Sequence, residues 1–124
     1  MSLTIASRPV EDVTVLDLAG RITFKDGSNT IADEIRRLVA AGHRKILLNM
    51  AAVSYIDSSG IGQLVFGHTT VANQGGQLKL ANLSARVAML LELTRLFMAL
   101  AVYDDEPAAL AAFRDNSADP VPSR

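Results

Sequence analysis

The spacing of hydrophobic positions along this chain changes several times, and each change marks an element. "LTIASR" and "VTVLDLAG" alternate with a period of two, the spacing of strands with two unlike faces. In the second, Val13, Val15 and Asp17 share one face, and Thr14, Leu16 and Leu18 the other. The Glu11-Asp12 pair between them predicts a turn, and so a hairpin. "GRITFKDGSN" reads as a polar loop. "TIADEIRRLVAAG" then shifts to helical spacing. Ile31, Ile35, Leu38 and Val39 line one face, and Asp33, Glu34, Arg36 and Arg37 the other. Thr30 reads as its N-cap and Gly42 as its stop.

"KILLNM" is apolar without alternation, as expected of a strand covered on both faces. "YIDSSG" ends that strand segment and opens a helix reaching about Asn73, with Ile61, Leu64, Val65, His68, Val71 and Ala72 as its stripe. "QGG" closes it, and "QLKLANL" is the next strand. "SARVAMLLELTRL" is a helix capped by Ser84, with Val87, Leu90 and Leu91 turned inward. "LAVY" is a short strand. "DDEPAALAAF" is a last helix, with an aspartate cap, Pro107 in its first turn, and Leu110 and Phe113 packed. The domain is expected over residues 1–114. The polar, proline-containing residues 115–124 read as a disordered tail.

The order is β-β-α-β-α-β-α-β-α. Strands separated by helices predict an α/β fold: a mixed, mainly parallel sheet covered by helices, with one antiparallel strand from the hairpin. In such sheets ligand and partner sites gather where a strand ends and a helix begins. Asp57 to Gly60 stands at such a junction.

Composition narrows the classes. With 124 residues, 49% of them hydrophobic, the chain has material for one domain with a real core. Net charge is −1 and no basic stripe is present, which argues against nucleic-acid binding. There is no cysteine, hence no disulfide framework and no thiolate metal site. No apolar run nears the roughly 18 residues of a membrane span. "MSLTIASRP" lacks a signal-peptide pattern, so a cytoplasmic protein is expected.

The stretch "VSYIDSSGIGQLVFG" carries the candidate chemistry. Serines at a helix start serve as N-caps, and Gly60 and Gly62 allow close packing, but one cap does not account for Asp-Ser-Ser together. A serine hydrolase is disfavoured. "DSSGIG" is not the G-x-S-x-G elbow, and His68 stands ten residues up the helix from Ser58, about 15 Å along its axis. His43, the other histidine, falls in a loop. "GIGQLVFG" has Val65 where a dinucleotide fingerprint needs glycine, and no Walker lysine pattern exists. Asp57 has no neighbouring ligand to complete a metal set, and Asp104-Asp105-Glu106 reads as a helix cap. A reversible modification stays open beside the helix cap. An exposed serine at a helix N-terminus accepts phosphate, which the helix N–H groups accommodate while Asp57 opposes it.

The chain resembles the STAS domains of bacterial anti-sigma factor antagonists from Leu3 to about Phe113. The carriers are the "GRI" turn, "ILLNM" followed by "VSYIDSSGIG", and "NQGGQLKLANL". The resemblance implies the anti-sigma factor antagonist-like STAS fold and a protein without catalytic activity, metal or cofactor. It implies that Ser58, directly after the aspartate, is the phosphate acceptor. The partners it implies are an anti-sigma factor that is itself the serine kinase, bound by the unphosphorylated antagonist, and a serine phosphatase that restores binding. No nucleic acid and no membrane span are expected, and a homodimer is left open. Asp57 would orient the loop, Ser59 and Gly60 would shape the helix start, and Thr23 and Ile61 complete the expected partner surface. One position departs: many phosphorylated antagonists carry an aspartate where this chain has Thr23, and Asp26 is the nearby carboxylate. STAS domains also serve as unmodified scaffolds in stress-signalling assemblies and as small subunits of lipid-transport complexes.

Overall fold

In the computed structural model, which describes residues 3–24 and 30–115, β1 (Thr4–Val10) and β2 (Val13–Ile22) form the expected hairpin. They pair antiparallel from Val10↔Val13 to Thr4↔Ala19, and Glu11 turns the chain at a φ of 57°. Next come α1 (Thr30–Ala40), β3 (Lys45–Ile56), α2 (Ser58–Asn73), β4 (Gln77–Ala81) and α3 (Ala85–Thr94). A 3-10 turn (Leu96–Ala99), β5 (Ala101–Tyr103) and α4 (Glu106–Asp115) complete the order. The sheet runs β1-β2-β3-β4-β5, and every pair after the hairpin is parallel. This is the mixed, mainly parallel α/β sheet expected from the alternation of periods. Asp26 and residues 116–124 lie outside the described residues.

Burial explains why the central strands are apolar on both faces. On one face Leu16, Leu18, Ile46 and Leu48 pack with Ile31 and Ile35 of α1, Ile61 and Leu64 of α2, and Val87 and Leu91 of α3. On the other, Val13, Val15 and Leu47 pack with Ala109, Leu110 and Phe113 of α4. Lys79 of β4 is fully buried on this second side, its ammonium 5.0 Å from the centre of the Phe113 ring and 5.3 Å from that of Tyr103. Both ring faces lie within the range of a favourable contact with an ammonium.

Four local expectations change. "GRI" is strand rather than loop: β2 continues through Ile22, with register shifts against β3 between Asp17 and Ala19 and between Gly20 and Arg21. Gly20 sits at a φ of 112°, and these irregularities erase the period of two that would have announced the extension. β3 ends at Ile56, as "YIDSSG" predicted, paired there with the extended β2 after β4 has stopped at Ala81. Thr30 is the first helical residue, not the cap before it. In α2, Ala72 is exposed while Gln63 and Gly67 are buried. A side chain at Gly67 would meet Ile35, so the glycine permits close contact between α1 and α2. Gly62, by contrast, has nothing within 4 Å and is exposed.

The second face also carries a polar chain linking β1, β2, β3 and α4. Arg8 donates to Asp17 at 2.6 Å and to Glu106 at 2.6 Å. Asn49 donates to Asp17 at 2.7 Å, and Asn82 to Asn49 at 3.0 Å. Hydrogen bonds from Arg8 hold the Asp17 carboxyl below its ordinary value; partial burial works against them, and Asn49 adds a smaller lowering. A lowered carboxylate contributes stability above its unfolded value, and that contribution is lost as pH falls through the folded one. Asp17→Asn should therefore lower the melting temperature at neutral pH. The gap from the parent should narrow below about pH 4, where unfolded aspartates protonate. Melting curves across that window check it, and a gap constant with pH would contradict it.

Candidate functional site

The candidate site stands where β3 ends, beside the end of β2. Asp57 breaks the strand with an extended backbone (φ −107°, ψ −177°) and caps α2. Its Oδ1 accepts from the Gly60 amide at 2.9 Å. Its Oδ2 accepts from the Phe24 amide at 3.1 Å, and its own N–H donates to the Ile22 carbonyl at 3.2 Å. One residue thus joins the end of β2, the chain beyond it and the start of α2. Capping falls to the acid rather than to a serine, because Ser58 is already helical and only the extended residue before it can reach back to the third amide.

Ser58 is exposed on the first turn, and Ser59 is half-buried behind it. Gly60 is buried with no room for a side chain: a Cβ would lie 2.1 Å from the Ile22 carbonyl oxygen. Thr23 is 8% exposed and Ile61 2%. The six residues singled out in the sequence therefore converge, but in two layers. Ser58 faces solvent, with Asp57 and Ser59 half-exposed; Thr23, Gly60 and Ile61 lie beneath. Ile61 nevertheless reaches the wall of a groove of about 210 Å³ between α2 and α3, which Ser58, Asp57, Leu90, Leu93 and Thr94 also line.

Sequence reasoning missed the apolar rim. Leu93 is 73% exposed and Phe24 70%. Leu93 falls two and three positions after the inward Leu91 and Leu90, off the buried stripe of α3, and Phe24 is the aromatic in a stretch read as polar loop. Isolated exposed apolar residues need no explanation, but Leu93 borders the groove at Ser58.

The arrangement can present a hydroxyl and receive a charge. First-turn N–H groups favour an added phosphate, and the fixed Asp57 carboxylate disfavours it. His68 shares α2 with Ser58, about 15 Å along the axis, too far to act as its base. Among the described residues no group of three or more His, Asp or Glu is placed to hold a metal ion. Among the same residues no helix is long and apolar enough to cross a membrane.

Comparison with known proteins supplies the family. The STAS domain model matches residues 4–109. The anti-sigma F factor antagonist of Paenibacillus polymyxa is 29% identical over 65 residues, 52% of this chain and 56% of that protein. The anti-sigma-B factor antagonist of Bacillus subtilis is 50% identical over 44 residues, 36% of this chain and 40% of that protein. These matches span about half, or less, of the relatives' own lengths. An anti-sigma factor antagonist from Mycobacterium paratuberculosis has the same fold, with a TM-score of 0.81 over 92% of this chain and 96% of that one, at 21% identity. A match running from the first strand into the last helix, on a sheet of this topology, settles the assignment: the chain belongs to the STAS domain family.

Proposed function

We propose that this chain is an anti-sigma factor antagonist, active when Ser58 is unmodified and switched off by phosphorylation there. The observation that carries the proposal is the exposed Ser58 hydroxyl on the first turn of α2, at the edge of an apolar groove. The relatives named as antagonists of anti-sigma factors support the general role. In this reading the partner is an anti-sigma factor that is also the serine kinase, and a serine phosphatase reverses the modification. The chain acts in the cytoplasm, needs no cofactor, contacts no nucleic acid and is the substrate of the reaction rather than its catalyst. Asp57 serves by holding the helix start and the chain at Phe24 in fixed relation.

An unmodified scaffold subunit is the competing reading. It draws on Thr23, which puts a buried neutral side chain where many switched antagonists carry an aspartate. Incubation with the serine-kinase anti-sigma factors of the source organism and ATP, followed by peptide mass mapping, separates the two. Phosphate on Ser58 is the expected result, since Ser58 is the more exposed of the two serines. Phosphate on Ser59 alone, or none with any kinase, would contradict the proposal.

A further inference from the structure

Of the large apolar side chains exposed among the described residues, four lie in one segment. Met89 is 53% exposed, Leu93 73%, Leu96 44% and Met98 46%. Met89 and Leu93 stand one turn apart on α3, opposite the buried Val87 and Leu91, and Leu96 and Met98 belong to the 3-10 turn that follows. The fold of one chain leaves this run uncovered, and contiguous apolar surface of this kind marks an interaction site. Glu92 and Arg95 lie within the same run and are both exposed. On α1 the pairs Asp33–Arg36 and Glu34–Arg37 have the same spacing of three and close as ion pairs. Glu92 and Arg95 do not, and among the described residues no hydrogen bond or ion pair engages either side chain. The reason is local: Arg95 turns left-handed at a φ of 62°, which ends the helix and takes it off the line of α3.

We infer that a second copy of this chain covers the segment, in an antiparallel twofold contact centred beside Leu93. Antiparallel order sets Glu92 of each copy against Arg95 of the other, and Met89 of each toward the turn that holds Leu96 and Met98. One acid and one base then give two reciprocal pairs, because a twofold contact uses the same patch on both sides. A foreign partner would have to match this charge order, whereas a second copy carries it by symmetry. Leu93 also lines the groove at Ser58, together with Leu90 and Thr94. Self-association therefore covers one wall of that groove and competes with whatever docks there. The competition rests on the proposed reading of the groove as the partner surface; the pairing itself does not.

Analytical ultracentrifugation of the intact, unmodified chain, from low micromolar to near-millimolar concentration, tests this directly. The expected result for the parent is a reversible monomer–dimer equilibrium. Leu93→Glu should weaken it about tenfold or more. Glu92→Arg and Arg95→Glu, each alone, should weaken it about fivefold or more, since each places like charges together twice. Mixed in equal amounts, these two variants should recover the parent's dimer, because each then faces the opposite charge on the other. A pair closed within one chain cannot produce that recovery. Thermal unfolding checks that the variants stay folded, and Met89→Ser serves if Leu93→Glu does not. A monomer at every concentration would overturn the inference and leave the face to a foreign partner. A dimer untouched by these substitutions, or a mixture that fails to recover, would overturn it too. No kinase enters the experiment, so failure of phosphorylation at Ser58 and failure of the pairing are distinguishable.

Discussion

Gly60→Ala is expected to cost about 1–3 kcal/mol of stability, or more, from a single added methyl group. The new Cβ would lie 2.1 Å from the Ile22 carbonyl oxygen, 2.7 Å from Ile56 Cγ1 and 2.8 Å from Ile22 Cγ2. Two of these neighbours are side-chain carbons that can turn. The carbonyl oxygen is backbone, and it also accepts the Asp57 N–H. Making room means moving the end of β2 away from α2, which strains the Asp57 bonds that hold the junction. For a domain of this size each kcal/mol is worth about 3–5 °C in melting temperature, so a loss of several degrees is expected. Gly62→Ala is the control. That position is exposed with nothing within 4 Å, and alanine should stabilise the helix there by up to about 1 kcal/mol. Thermal unfolding of both variants checks the pair, and equal effects would contradict the packing of α2 against β2.

Charge at Ser58 should have the largest effect on binding. A phosphate adds about −1.5 to −2 charges at neutral pH, next to the fixed Asp57 carboxylate. Against a partner surface that charge must be desolvated or repelled. A coupling of about 1–3 kcal/mol, usual for a regulatory site, weakens binding about 5- to 150-fold. Ser58→Asp should show part of this loss, since it brings one charge with different geometry. Ser58→Ala should bind like the parent. It should also fold like the parent, within about 0.5 kcal/mol, because the cap of α2 is Asp57 and Ser58 is exposed. Titration of the serine-kinase anti-sigma factor with the three proteins measures the effect. Loss of binding in Ser58→Ala equal to that in Ser58→Asp would point to a lost hydroxyl contact rather than to charge.

The sequence made most of the architecture legible because most of it obeys one period at a time. Ile31, Ile35 and Leu38 repeat at helical spacing and are buried; the Glu11-Asp12 turn closes the hairpin; Ser84 caps α3 by accepting from the Val87 amide. Legibility failed where two constraints overlapped. At Gly20 and Arg21 the register of β2 slips, so alternation could not extend the strand to Ile22. Gln63 is polar yet buried, because its Oε1 accepts from the Ile31 amide at 3.2 Å and so ties α2 to the start of α1. No hydropathy pattern announces that.

The site was half legible for a similar reason. Asp57, Ser58 and Gly60 fall within four residues, and their types already pointed to a helix start. The division of labour among them depends on backbone angles, which put the cap on the acid and leave Ser58 facing solvent. The groove needs α3, some thirty residues downstream, to bring Leu90 and Leu93 beside Ile61. The neighbourhood of Arg21, Tyr55 and Arg86 is likewise tertiary: the register of β2 on β3 sets Arg21 beside Tyr55, and α3 lays Arg86 over the Tyr55 ring.

The switch is tested most directly on one sample carried through both states. Protein phosphorylated by the proposed partner, a serine-kinase anti-sigma factor, would be purified, titrated against that factor without ATP, treated with a serine phosphatase and titrated again. Tight binding before modification, a loss of about 5- to 150-fold in the Ser58-phosphorylated form, and full recovery after dephosphorylation is the expected result. Equal affinity in the phosphorylated and dephosphorylated forms would contradict the account and leave the unmodified scaffold in its place.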